Sequence, residues 1–144
     1  MDLPIRRVMT PFPYAIDAQA EVLAARKLML EHKVRHLPAI SSGKLVGLIT
    51  DRDIKLMLGP EFDYPEPREL TVADVMIDNP YVVEGDTPLV DVLRNMTKRH
   101  IGAVLITRDG DLAGIFTATD ACRHLADAIE GGVPTGQAGS GLPT

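Results

Sequence analysis

The sequence predicts a mixed α/β (α+β) fold made of two copies of one β-α-β-β-α unit. Displaced by 67 residues, the chain matches itself without a gap: Val8 and Met9 fall on Val75 and Met76, Pro13 and Tyr14 on Pro80 and Tyr81, and Met29 on Met96. Further along, Gly43, Leu45 and Gly47 fall on Gly110, Leu112 and Gly114, and Thr50 and Asp53 on Thr117 and Asp120. Within each copy, helical apolar spacing alternates with strand-like runs. Finally, 144 residues suit one ordinary domain or two very small ones sharing a core. A unit of about 60 residues cannot bury its apolar face alone, and the second copy provides the partner.

Each copy opens with a short helical turn, Leu3 to Met9 or Val72 to Met76, that leads into proline-containing extended chain. Tyr14 to Ile16 and Tyr81 to Val83 read as brief strands. A helix follows, with Val22, Ala25 and Met29 on one face in the first copy and Leu89, Val92 and Met96 in the second. Pro88, after Thr87, fits the first helical position behind an N-cap. His36 to Ile40 and Ala103 to Ile106 are strands. Ser41-Ser42-Gly43 and Arg108-Asp109-Gly110 turn each into a hairpin with Lys44 to Thr50 or Asp111 to Thr117. A second helix starts after Thr50 and after Thr117. The copies are 1–58 and 70–130. Between them, 59–69 holds three prolines and four acids and reads as a linker. The stretch 131–144, with five glycines, two prolines and no charge, reads as a flexible tail.

Composition removes several function classes. Fifteen basic against 20 acidic residues leave a net charge of −5, so no general electrostatic grip on nucleic acid is expected and phosphate contacts must be local. With no Trp and few aromatics, the chain lacks the means for a base-stacking platform for single strands. The one cysteine, Cys122, forbids an internal disulfide and suits a reducing, cytoplasmic setting. Neither a signal peptide nor an apolar run long enough to span a membrane is evident. His32 and His36 lack a metal-ligand pattern, Cys122 lacks a partner, and Met29 and Met96 sit on apolar helix faces, so all read as structural. The linker acids Glu61, Asp63, Glu66 and Glu69 read as solvated. No nucleophile, base and orienter assemble from the spacing, so no enzyme is expected.

The chemistry concentrates at the two strand-to-helix junctions, Gly47-Leu48-Ile49-Thr50-Asp51-Arg52-Asp53 and Gly114-Ile115-Phe116-Thr117-Ala118-Thr119-Asp120. Thr and Asp three apart at a helix start face one side, where free amides and a hydroxyl favour an anion such as phosphate. The carboxylate, an acceptor only, suits the two donating hydroxyls of a sugar diol. Phosphate and ribose together indicate a nucleotide. Each glycine, three before its Thr, would leave room over the strand for a flat base. The plainer reading stands beside this one: each Thr is an N-cap and each Asp a first-turn acid.

These motifs, with "VRHLPAI…GKLVGLITDRDI" and "DVM…P", make the chain resemble the cystathionine-β-synthase (CBS) domain family over roughly Leu3 to Ile129. The resemblance implies a Bateman module, in which two CBS repeats pack about a pseudo-two-fold axis. It implies a regulatory module that binds AMP, ADP, ATP, NAD or S-adenosylmethionine, AMP or ATP foremost, requires no cofactor or metal, and often pairs into disc-like homodimers. In the family the Asp holds ribose and the Thr lies near ribose or phosphate, while the segment entering the first strand lines the base pocket. Carried over, a first site comprises Thr10, Pro11, Pro13, Tyr14, Arg35, His36, Thr50, Arg52 and Asp53. A second comprises Asp78, Asn79, Pro80, Tyr81, Gly102, Ala103, Thr117 and Asp120. With no effector domain evident, the output is expected to pass to an unknown effector protein. The alternative is a structural dimerisation module with vestigial pockets.

The two sites differ. Arg35 and His36 precede the first hairpin strand, where the second copy has Gly102 and Ala103. Arginine is shaped for bidentate phosphate binding, so the first site is expected to prefer a phosphorylated nucleotide. The second would take a less charged adenosine compound, borrow charge from the first copy, or stay empty. Against this, Arg35-His36 is also readable as a solvated strand end, and Arg52 as a plain surface residue.

Overall fold

The computed structural model describes residues 3–59 and 70–131; most of the expected linker and tail lie outside the described residues. A 3-10 turn, Ile5–Arg7, precedes β1 (Thr10–Pro11), β2 (Ile16–Asp17), α1 (Val22–His32), β3 (His36–Ser41), β4 (Lys44–Thr50) and α2 (Asp51–Leu58). The second copy follows with α3 (Val72–Val75), β5 (Val82–Glu84), α4 (Leu89–Arg99), β6 (Ala103–Arg108), β7 (Asp111–Thr117) and α5 (Ala118–Glu130). One sheet has the order β2-β3-β4, the other β1-β7-β6-β5. In each copy the opening strand runs parallel to the first hairpin strand, and the hairpin is antiparallel. The expected α+β class with two related units is what the fold shows.

The duplication extends to backbone detail. Ser42-Gly43 and Asp109-Gly110 all have positive φ, as a two-residue hairpin turn of the primed kind requires. The register shifts between Ala39 and Ile40 and again between Ile106 and Thr107. Lys33 and His100 close their helices in the left-handed conformation, with φ of 57° and 56°.

The opening turns trade places. Ile5, fully buried, packs with Val92, Met96, Val104, Ile106 and Phe116 of the second copy. Val72 and Val75 join Val22, Ala25, Leu37, Ile49 and Ile54 of the first. Matching hydrogen bonds tie each turn to the opposite copy: Ile5 N–H to Thr87 O at 2.9 Å and Val72 N–H to Ala20 O at 2.8 Å. The chain continues the exchange, since β1 pairs antiparallel with β7 and Ile77 bridges Leu48. A third cluster, Leu48 with Ala103, Leu105 and Ile115, seals the two sheets together.

Four local expectations shift. The opening strands lie at Ile16–Asp17 and Val82–Glu84, displaced from Tyr14–Ile16 and Tyr81–Val83, past the Pro13-Tyr14 and Pro80-Tyr81 steps, where proline brings no N–H to a ladder. The strand β1 is additional; its proline is tolerable on a sheet edge. Pro88 stands at the cap of α4, not inside it, because the Leu89 N–H finds the Leu3 carbonyl at 2.7 Å. The space over Gly47 and Gly114 is not kept for a base. A Cβ on Gly47 would meet Met76 Sδ at 2.6 Å and Ile77 O at 2.7 Å, and one on Gly114 would collide with Met9 Sδ. These glycines admit the exchanged segment of the opposite copy.

Candidate functional site

Both junctions place Thr at the helix N-cap. The Asp53 N–H donates to Thr50 Oγ1 at 3.0 Å, and the Thr50 hydroxyl donates to Asp53 Oδ2 at 2.7 Å. At the other junction the Asp120 N–H donates to Thr117 Oγ1 at 3.2 Å and the Thr117 N–H to Asp120 Oδ2 at 2.9 Å, closing a capping box. The capping reading of these residues is therefore realised. It leaves the second oxygen of Asp120 to Arg123, 3.0 Å away. Asp51, next to Thr50, pairs with Lys55 at 2.9 Å and with Arg26 at 3.5 Å.

The exchange decides which candidates meet. Thr10, Arg35 and His36 line one cavity, of about 490 Å³, with Thr117 and Asp120 of the opposite copy. Lys33, Val34, Ile115, Thr119 and Arg123 complete it. An adjoining cavity of about 370 Å³ is lined by Thr10, Pro11, Phe12, Pro13, Tyr14, Val34, His36 and Ile115. One compartment is thus polar and cationic, its neighbour apolar and aromatic. Tyr14 is held by stacking on His32, with ring centroids 3.8 Å apart. Phe12 is 92% exposed with φ of 48°, a strained setting for an aromatic residue between two prolines.

Thr50 and Arg52 line a different, open cavity of about 360 Å³ with Asp51, Lys55 and Leu56, and Arg35 and His36 reach it as well. Asp53 is not among its lining residues. Asp78 and Asn79 are exposed just beyond the bridge that joins Ile77 to Leu48. Tyr81 packs inside the second copy, its ring 5.0 Å below the Arg99 guanidinium and its hydroxyl accepting from Asn95 at 3.2 Å. Gly102 is exposed, and Ala103 is buried against Leu48. A larger cavity, about 760 Å³, lies at the other end of β7 and contains only Pro11 of the candidates.

His36 stands where these walls converge. Burial, then the neighbouring Arg35, lowers its pKa below the ordinary 6.5; Asp120 and Asp53 pull the other way more weakly. Both junction carboxylates therefore act on one imidazole. Sequence reasoning missed Lys33, Val34, Ile115, Thr119, Arg123 and Phe12. Their only signal is adjacency to motif residues, because β1 crosses between copies.

A CBS domain model matches residues 5–59 and 72–127. The chain belongs to the CBS domain family. It is 26% identical over 140 residues to a CBS domain-containing protein of Dictyostelium discoideum, covering 90% of this chain and 96% of that one. The CBS domain pair of protein MJ0100, solved with 5′-methylthioadenosine and S-adenosyl-L-methionine, superposes with a TM-score of 0.76 at 26% identity, over 88% of this chain and 98% of that one. CBSX2, solved in complex with AMP, superposes with a TM-score of 0.75 at 25% identity, over 86% and 97%. The CBS pair is a fold that binds adenosine compounds in these two proteins. No helix among the described residues is long and apolar enough to cross a membrane. Among them, no group of three His, Cys, Asp or Glu residues is arranged to hold a metal ion.

Proposed function

We propose that this CBS pair is a regulatory module that binds an adenosine nucleotide, AMP or ATP, between its repeats. One observation carries the reading: a polar compartment with Arg35, Thr117 and Asp120 opens beside an apolar one with Pro11, Tyr14 and Ile115. Charge for phosphate, an acceptor for ribose and an apolar wall for a base lie side by side, in cavities of the size small ligands use. The AMP and S-adenosyl-L-methionine complexes of related pairs support the same ligand class. The ligand shifts the packing of the two repeats only by its difference in affinity for the two arrangements, and a partner protein reads that shift in a cytoplasmic setting. Exposed Leu56, Met57, Leu125 and Ile129 on α2 and α5 support a homodimer. The module has no chemistry of its own in this reading.

The cavity at the other junction, lined by Thr50 and Arg52, is the smaller candidate. A structural dimerisation module is favoured by one observation: both Thr–Asp pairs already satisfy each other as caps. A thermal-shift panel of AMP, ADP, ATP, NAD and S-adenosylmethionine separates the two. Stabilisation by an adenosine compound, lost in Asp120→Asn, supports binding; no shift with any of them supports the structural reading.

A further inference from the structure

We infer that the module takes one phosphorylated nucleotide per chain, because its two junctions share a single guanidinium, that of Arg35. The inference rests on the nucleotide reading above and concerns how occupancy of one site governs the other.

Arg35 and His36 line the cavity at Thr50 and also the cavity at Thr117. The counterpart of Arg35 is fixed by backbone geometry as well as by alignment. The Asp51 N–H donates to the Arg35 carbonyl at 3.0 Å, and the Ala118 N–H donates to the Gly102 carbonyl at 2.9 Å. At that counterpart the second copy offers no side chain, so one guanidinium faces two anion-binding junctions. The other cations are less free to compensate. Lys55 is engaged by Asp51 and Arg123 by Asp120, which leaves each cavity one exposed cation of its own, Arg52 or Lys33. Burial and Arg35 hold His36 below its ordinary pKa, so at neutral pH the shared positive charge is that of Arg35. A first phosphate takes up that charge. A second then meets a phosphate across the same wall where the first met a guanidinium, and like charges there disfavour it. Couplings between sites typically span about 5- to 150-fold in affinity.

Isothermal titration calorimetry of the full chain with AMP tests this. The native chain should bind one AMP, with any second at least about tenfold weaker. Gly102→Arg should raise the number to two of similar affinity. Gly102 is exposed and an added Cβ there meets nothing within 4 Å, so the substitution begins without a clash. Gly102→Lys, which brings the charge on a different head, should do the same to a lesser degree. Two equivalent AMP molecules on the native chain overturn the inference, as does an unchanged number of one in both folded variants. No heat with AMP or any other adenosine compound overturns the nucleotide reading itself, an outcome distinct from a count of two.

Discussion

At the scale of single residues, His36 and Asp120 carry the account. His36 holds its proton less tightly in the folded chain than the ordinary 6.5, chiefly because it is buried. Below that value the unfolded chain therefore binds more protons than the folded one, and stability falls as pH drops from 6.5 toward the lower folded pKa. Above 6.5 this group has no effect on the slope. Arg35 adds to the lowering, while Asp53 and Asp120 oppose it. His36→Gln should flatten the stability profile just below pH 6.5, measured by urea denaturation at fixed salt; an unchanged slope contradicts the assignment. Asp120→Asn keeps an acceptor for the Thr117 amide but removes the charge offered to a sugar diol. Since a charged hydrogen bond contributes about 1.5–3 kcal/mol, nucleotide affinity should fall about ten- to hundredfold, with a smaller change in stability. Equal affinity in titrations of the two proteins would show that Asp120 is a cap alone.

At the scale of elements, the exchanged turns explain both the packing and the limits of the sequence reading. The repeat, the two hairpins, the helices and the Thr–Asp junctions were legible because they obey local rules: helical spacing through Val22, Ala25 and Met29, turn chemistry at Ser42-Gly43, caps at Thr50 and Thr117. The crossing of Ile5 into the second core was not. Its apolar side chain fits either copy equally well, and only the global packing distinguishes them. The same crossing hid the composition of the site, bringing Thr10 and Arg35 to Thr117. It also gave Gly47 and Gly114 a different reason to be glycine. Two expectations follow. Ile5→Ala should cost about 2–5 kcal/mol although the residue lies near the N-terminus, as a buried core truncation does. Gly47→Ala should cost about 1–3 kcal/mol, because the new Cβ presses on the Ile77 carbonyl as well as on the flexible Met76. Equilibrium denaturation measures both, and a cost under ~0.5 kcal/mol for Ile5→Ala would contradict the exchange.

At the scale of the whole molecule, each core is completed by the other copy, so the pair should unfold as one unit. A chain comprising residues 1–59 lacks Val72 and Val75 and leaves its own Ile5 without a core. It should show no cooperative thermal transition by circular dichroism until residues 60–144 are added. A cooperative transition from the first fragment alone would mean that the copies are independent. The same interdependence gives a ligand between the repeats its leverage, since it bridges β1, β3 and the start of α5 at once. Ligand at about 100 times its dissociation constant should add about 2.7 kcal/mol to the stability of the entire module. The most direct test of the central claim is calorimetric titration of the native chain and of Asp120→Asn with AMP and ATP. The account expects saturable binding by the native chain and a loss of at least about tenfold in the variant. Absence of binding by the native chain, or equal affinity in both, would contradict it.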